Sequence, residues 1–196
     1  MNFPAIPEQK KVVIFELDDV LYPQKDYDLQ VYYLFANFIA YLETFPPAQE
    51  VISFIQKRYE IHQNDGMFKE VAATFGMDTK YEENLKLLFK NAKLPLKLLL
   101  FKEALELLQE LTVNRVKVFI LTGGNPQQQL NKITQTKWHG LDQYLKVYFK
   151  EELGENALGT IIKENELNDE EVLFIGKSEE DRGMALRCGI DFNSLV

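Results

Sequence analysis

The sequence predicts an α/β protein: a Rossmann-like core with a central parallel sheet, and a small four-helix cap inserted after strand one. Three observations carry that prediction. The apolar run Val12-Val13-Ile14-Phe15 breaks into acids at Glu16, Asp18 and Asp19, as a buried strand does when it delivers carboxylates at its C-terminal end. Four helical patterns follow before another such strand appears. From Phe101 onward helix and strand alternate, which is the pattern of a parallel sheet.

Each element has its own signal. Lys11 to Leu17 reads as the first strand. In the insertion, Leu29 to Leu42 is apolar around much of its circumference, and Pro47 to Tyr59 follows a proline pair and repeats Val51, Ile52, Ile55 and Tyr59 on a helical period. Asp65 to Phe75 stops at Gly76, and Thr79 to Lys93 stops before Pro95. These bounds assign residues 27–93 to the cap, and 1–26 with 94–196 to the core. The cap aromatics Tyr32, Tyr33, Phe35, Phe38 and Tyr41 read as helix-packing core. Beyond the cap, Phe101, Ala104, Leu105, Leu108 and Leu111 share one helical face, and Val116 to Leu121 is the second buried strand. Asn125-Pro126 caps a helix carrying Leu130 and Ile133. Leu145 to Phe149, Val172 to Ile175 and a short edge strand within Ile190 to Val196 complete the sheet. Helices at Leu158 to Asn165 and Asp181 to Cys188 lie between them.

Composition bounds the function. The 196 residues suffice for one core with a modest insertion. A formal charge of -8 argues against nucleic acid and anionic membranes as partners, since both select for clustered Lys and Arg. The single Cys188 excludes an intrachain disulfide and fits a reducing compartment. With neither a signal-peptide pattern nor eighteen consecutive apolar residues, the expectation is a cytoplasmic protein. His62 falls in the cap and His139 between a helix and a strand. Neither a histidine-based metal site nor a Ser-His triad can be assembled from them.

Two strand ends carry chemistry. Thr122-Gly123-Gly124 follows the second strand, where a hydroxyl and two amides can hold phosphate oxygens beside a helix N-terminus, although a plain tight turn has the same sequence. Gly176-Lys177-Ser178-Glu179-Glu180-Asp181 follows the fourth, so strands one, two and four all end in polar groups facing one crevice.

Taken in order, these motifs resemble the haloacid dehalogenase superfamily over nearly the whole chain. Asp18-Asp19-Val20-Leu21-Tyr22-Pro23, followed by Lys25-Asp26-Tyr27, is similar to small-molecule phosphatases whose first motif continues D-D-T-L-Y-P. Phe101 to Leu111 and Gln129-Leu130-Asn131-Lys132-Ile133 resemble two further family helices. The resemblance places Glu16 where the nucleophilic aspartate stands, Asp18 at the acid/base, and Asp19, Thr122, Gly123 and Gly124 at the phosphate. It also implies a lysine in a Lys-Pro pair, where the chain has Glu155-Asn156. Lys150 is the only close substitute and reads as a solvated strand-end lysine, while Lys163 lies too far along its helix. In the fourth motif Asp181 is kept and Lys177 replaces the other metal acid.

Glutamate moves the attacking oxygen by one methylene, and a misplacement of about an ångström costs roughly a hundredfold in rate. Lysine has donors and no acceptor, so it cannot ligate Mg²⁺. The expectation is therefore that no metal is held; were Mg²⁺ bound, Glu16, Asp18 and Asp181 would be its ligands. The Lys177 ammonium is expected to pair with Glu16, and with Asp18 or Asp181 beside it, in place of the metal. Two functions follow. One is a catalytically impaired protein that binds a small phosphorylated metabolite or anion, or regulates a protein partner that the sequence does not identify. The other is an active phosphohydrolase with altered or weak activity on a small phosphate ester. Dehalogenation itself would still need the aspartate.

Overall fold

The computed structural model describes Phe3 and residues 5–195, and these residues divide into two compact units. The first comprises the described residues within Met1–Pro23, Leu99–Gln129 and Thr136–Val196; the second is Gln24–Leu98 with Leu130–Gln135.

The first unit is built on five parallel strands: β1 (Val12–Phe15), β2 (Lys117–Thr122), β3 (Leu145–Phe149), β4 (Val172–Gly176) and β5 (Asp191–Ser194). Their order is β3-β2-β1-β4-β5. The chain winds outward from β1 in one direction, then returns to its other side, which makes the gap beside β1 a topological switch point. Register aligns Phe15 with Ile120 and Ile175, and Thr122 with Phe149. The residues one step beyond these pairs therefore emerge at one edge.

Burial explains why β1 and β4 are continuous apolar runs: every residue of both is buried. Val12, Ile14, Phe119, Leu121, Val172 and Phe174 form one face. Helices α8 (Ala157–Glu164) and α9 (Glu179–Cys188) cover it with Leu158, Ile161, Met184 and Ala185. Helix α5 (Lys102–Val113) packs against β2 and buries Ala104, Leu107, Leu108 and Leu111. Each fully buried aliphatic or aromatic side chain contributes roughly 1.5–3 kcal/mol. Lys10 is buried to 3% exposure, and its ammonium ties Glu170 O (2.7 Å), Val172 O (2.9 Å) and Asp191 (2.7 Å) together below the sheet.

The second unit holds α1 (Gln24–Glu43), α2 (Ala48–His62), α3 (Met67–Phe75) and α4 (Glu82–Asn91). The C-terminal part of α6 (Pro126–Gln135), whose first turn belongs to the sheet unit, completes it. Helix α1 begins at Gln24, earlier than its apolar pattern suggests. Residues Thr79–Tyr81 form a 3-10 turn, capped by Asp78 accepting from the Lys80 amide at 2.9 Å, rather than the start of α4. Tyr32 and Phe35 are buried and pack edge-on against Phe89 and Phe68. Tyr33 and Tyr41, read as core from sequence, are 47% and 87% exposed. They lie on the outer flank of α1, whose pattern is apolar almost all round and so did not reveal which side faced inward.

Candidate active site

The site is built from the carboxyl ends of β1, β2, β3 and β4. Glu16 follows β1, its amide donating to Ile175 O at 2.9 Å, so its carboxylate leaves the sheet beside Gly176. Glu16 Oε1 accepts from the Leu17 amide at 3.0 Å, and Oε2 lies 2.7 Å from Lys150 Nζ. The same ammonium donates to Asp181 Oδ1 at 2.9 Å. One lysine thus joins the first-motif and fourth-motif acids in a triad whose side chains are 13%, 16% and 3% exposed for Glu16, Lys150 and Asp181.

Two glycines make the triad possible. Lys150 stands just past β3, two strands away from β1, and its stem crosses Gly123. A Cβ there would lie 3.2 Å from Lys150 Cδ. At Gly176 a Cβ would lie 2.8 Å from Asp181 Oδ2, closer than any side chain tolerates, so a glycine ends β4 where Asp181 folds back. Asp181 is fixed there by a capping box. Its Oδ2 accepts from the amides of Ser178 (3.0 Å) and Lys177 (3.2 Å), while Ser178 Oγ accepts from the Asp181 amide at 3.0 Å.

The three charges respond differently to one environment. Burial raises the Glu16 carboxyl above its ordinary range and outweighs the Lys150 charge and hydrogen bond that work to lower it. Burial works the same way on Asp181. There the Lys150 bond and the Ser178 amide prevail, and Asp181 is held below the usual value. For Lys150 burial pulls downward, but Glu16 and Asp181 together raise it.

Asp18 lies in the tight turn after β1. Its Oδ1 accepts from Tyr22 Oη at 2.5 Å, and its Oδ2 accepts from Gln129 Nε2 at 3.2 Å. Gln129 Nε2 also donates to Gly123 O at 2.7 Å, two acceptors that identify this atom as the amide nitrogen. The acid/base position is thereby tied to the loop after β2. Thr122 is fully buried, and among the described residues its hydroxyl has no hydrogen-bond partner. The Gly124 amide donates to Glu151 Oε1.

Several expectations change here. Lys150 is no solvated strand-end lysine: it makes the pair with Glu16 that Lys177 was expected to make. Lys177 is 51% exposed and reaches Asp19 Oδ2 at 3.3 Å, while only its backbone amide touches Asp181. Asp19 therefore meets a cation at the rim, and of the two loop amides proposed for phosphate, that of Gly124 meets a carboxylate. Sequence reasoning named Tyr22 and Gln129 only within the family motifs and gave neither of them, nor Glu151, a role in the site. The signal for Lys150 was present, since it follows β3 directly as Glu16 follows β1 and Gly176 ends β4.

Mg²⁺ requires near-octahedral oxygen ligands. Here an ammonium bridges two of the three acids expected to supply them, the third, Asp18, accepts from Tyr22 and Gln129, the second Asp181 oxygen is held by two amides, and Lys177 stands at the remaining acid position. This donor set does not fit the ion. Among the described residues no group of three or more His, Cys, Asp or Glu is arranged to hold a metal.

A parallel sheet ordered 3-2-1-4-5, with acids at its switch point, defines the Rossmann-like α/β class. The chain belongs to the haloacid dehalogenase-like hydrolase family, whose pattern matches residues 13–194. Solved structures agree on the fold. YfnB of Bacillus subtilis, a putative hydrolase of this superfamily bound to magnesium, superposes with TM-score 0.62 at 13% identity over 95% of this chain and 86% of that one. The Unknown transcript 4 protein of Saccharomyces cerevisiae gives 0.60 at 14% identity over 94% and 90%. A hydrolase from Streptococcus pneumoniae TIGR4 gives 0.57 at 13% over 96% and 94%. Comparison with curated protein sequences finds no match. Among the described residues no helix is long and apolar enough to cross a membrane.

Proposed function

We propose that this chain is a haloacid dehalogenase-like protein whose phosphate-transfer centre has become a metal-independent anion site, with little or no hydrolysis. The observation that carries this reading is Lys150 Nζ at 2.7 Å from Glu16 and 2.9 Å from Asp181. The ammonium neutralises the acids, as a metal would. A single charge cannot bridge an attacking carboxylate and a phosphoryl oxygen as Mg²⁺ does. The ligand class is inorganic phosphate or a small phosphorylated metabolite, received by the Thr122 hydroxyl and the amides of Gly123 and Gly124. Five carboxylates, Glu16, Asp18, Asp19, Glu151 and Asp181, stand against two ammonium groups here, so a dianion binds weakly. The acidic chain disfavours nucleic acid and anionic membranes as partners, and a cytoplasmic setting suits the single cysteine.

Calorimetric titration with inorganic phosphate is expected to give the same affinity in EDTA and in Mg²⁺, with no turnover of p-nitrophenyl phosphate in either. Turnover that needs both Mg²⁺ and Glu16 would overturn the reading. It would establish instead the altered hydrolase that Asp18, held by Tyr22 and Gln129 in the acid/base position, favours.

A further inference from the structure

Glu151 is the first residue after Lys150 in a single helical turn, α7 (Lys150–Leu153), that follows β3 without a break. Its side chain does not turn to solvent alone. Glu151 Oε1 accepts the Gly124 amide, and both this oxygen and Lys150 Nζ lie 3.8 Å from where a Cβ of Gly123 would be. Gly124 holds φ +97°, a conformation open to glycine, which presents its amide outward. Beside it is Thr122, fully buried, its hydroxyl without a partner among the described residues. The loop thus offers an amide and an unsatisfied hydroxyl within three residues, the Lys150 ammonium stands over Gly123 between them, and the chain supplies its own carboxylate to the amide.

We propose that Glu151 is an internal anion that competes with the external one, setting the affinity and the charge selectivity of the site. A carboxylate on this amide blocks one donor and adds a negative charge to a cluster already rich in them. An incoming oxyanion must displace it, and swinging an exposed side chain outward is the motion required. Monoanions and weakly charged esters pay less repulsion at this step than a phosphate dianion does. The inference rests on the anion-binding reading above.

The test compares the full chain with Glu151→Ala, Glu151→Gln and the neighbouring Glu152→Ala by phosphate calorimetry in EDTA, together with the amide ¹⁵N shift of Gly124. Glu151→Ala is expected to bind phosphate roughly tenfold more tightly than wild type, the scale of one like-charge contact near a surface. Glu151→Gln should be intermediate and Glu152→Ala unchanged, and the Gly124 resonance should move in the two Glu151 variants only. Equal affinity in wild type and Glu151→Ala, or an equal gain in Glu152→Ala, would overturn the inference while leaving the anion site standing. Binding in none of the four proteins would remove both.

Discussion

Two cations of the molecule, the buried Arg58 and the largely enclosed Lys150, are of opposite design. In the helical unit Arg58 joins Glu70 through two nitrogens, Nε at 2.6 Å and Nη2 at 2.9 Å, and donates further to the carbonyls of Gln63 (3.2 Å) and Asp65. All its partners lie within twelve residues, on the loop joining α2 to α3 and on α3 itself. In the sheet unit Lys150 joins Glu16 and Asp181, which are 134 and 31 residues away, one just past β1 and the other in the first turn of α9 beyond β4. Arginine's planar fork suits a closed local clasp, where each donor has a fixed acceptor. A lysine on a flexible stem between two converging acids makes a charge centre whose partners could be exchanged for a ligand's. A local pair holds a loop shut, whereas a pair recruited across a sheet marks a site.

The largest expected effect breaks the second of these. Lys150→Met leaves two carboxylates facing each other in a largely buried setting, and removing one partner of such a pair costs about 3 kcal/mol. Urea unfolding at neutral pH should show this loss. The loss should shrink in acid, because in the variant both carboxyls are raised by burial and mutual repulsion, so the folded state takes up protons and gains stability as pH falls. A loss that stayed constant with pH would mean that Lys150 acts by packing its stem over Gly123.

The two acids should then separate. Asp181 is depressed in the fold, so its contribution is present above its unfolded value of 3.8 and fades as pH falls through the folded value. Glu16 is raised above 4.5, so its ionisation costs folded stability as pH rises through its shifted range. Asp181→Asn is therefore expected to cost about 2 kcal/mol near neutrality and less in acid, part of it from the weakened capping box. Glu16→Gln should change stability by less than about 1 kcal/mol, its balance with wild type shifting in favour of the variant as pH rises. Parallel pH slopes for the two variants would contradict this division of roles.

Much of this was legible in the sequence, and the illegible part has a physical cause. The sheet follows from strands so apolar that no other burial suits them, and Val12–Phe15 and Val172–Gly176 are examples. Glu16, Asp18, Thr122 and Asp181 were legible as candidates because each sits at a fixed step after a predicted strand. Which cation reaches Glu16 depends instead on lateral strand order and on the space above Gly123, and neither is written in local spacing. Lys177 is nearer Glu16 by strand adjacency, yet it follows Gly176 at the start of the turn that Asp181 caps, and its side chain leaves toward Asp19. The exposure of Tyr33 and Tyr41 was hidden for a simpler reason, since a helix apolar on nearly every side carries no orientation signal.

The local clasp predicts a confined effect. Arg58→Met should speed amide exchange at residues 63–67 by roughly tenfold while leaving exchange in β1 and β4 unchanged, because the carbonyls of Gln63 and Asp65 lose their donor and the turn between α2 and α3 opens independently of the sheet unit. Faster exchange in the strands as well would show that the two units unfold together.

The smallest effect separates Lys177 from Lys150. Half-exposed and 3.3 Å from a carboxylate that is itself 35% exposed, Lys177 belongs to the class of surface pairs worth about 0–1 kcal/mol and screened by salt. Lys177→Ala is expected to shift stability by less than about 0.5 kcal/mol, and the shift should vanish in high salt. Its effect on phosphate should be larger than on folding, because removing a positive charge at the rim lowers the potential an arriving anion meets. Slower phosphate association at low ionic strength, with little change in unfolding, is the expected pair of results. A stability loss as large as that of Lys150→Met would return Lys177 to the centre of the site.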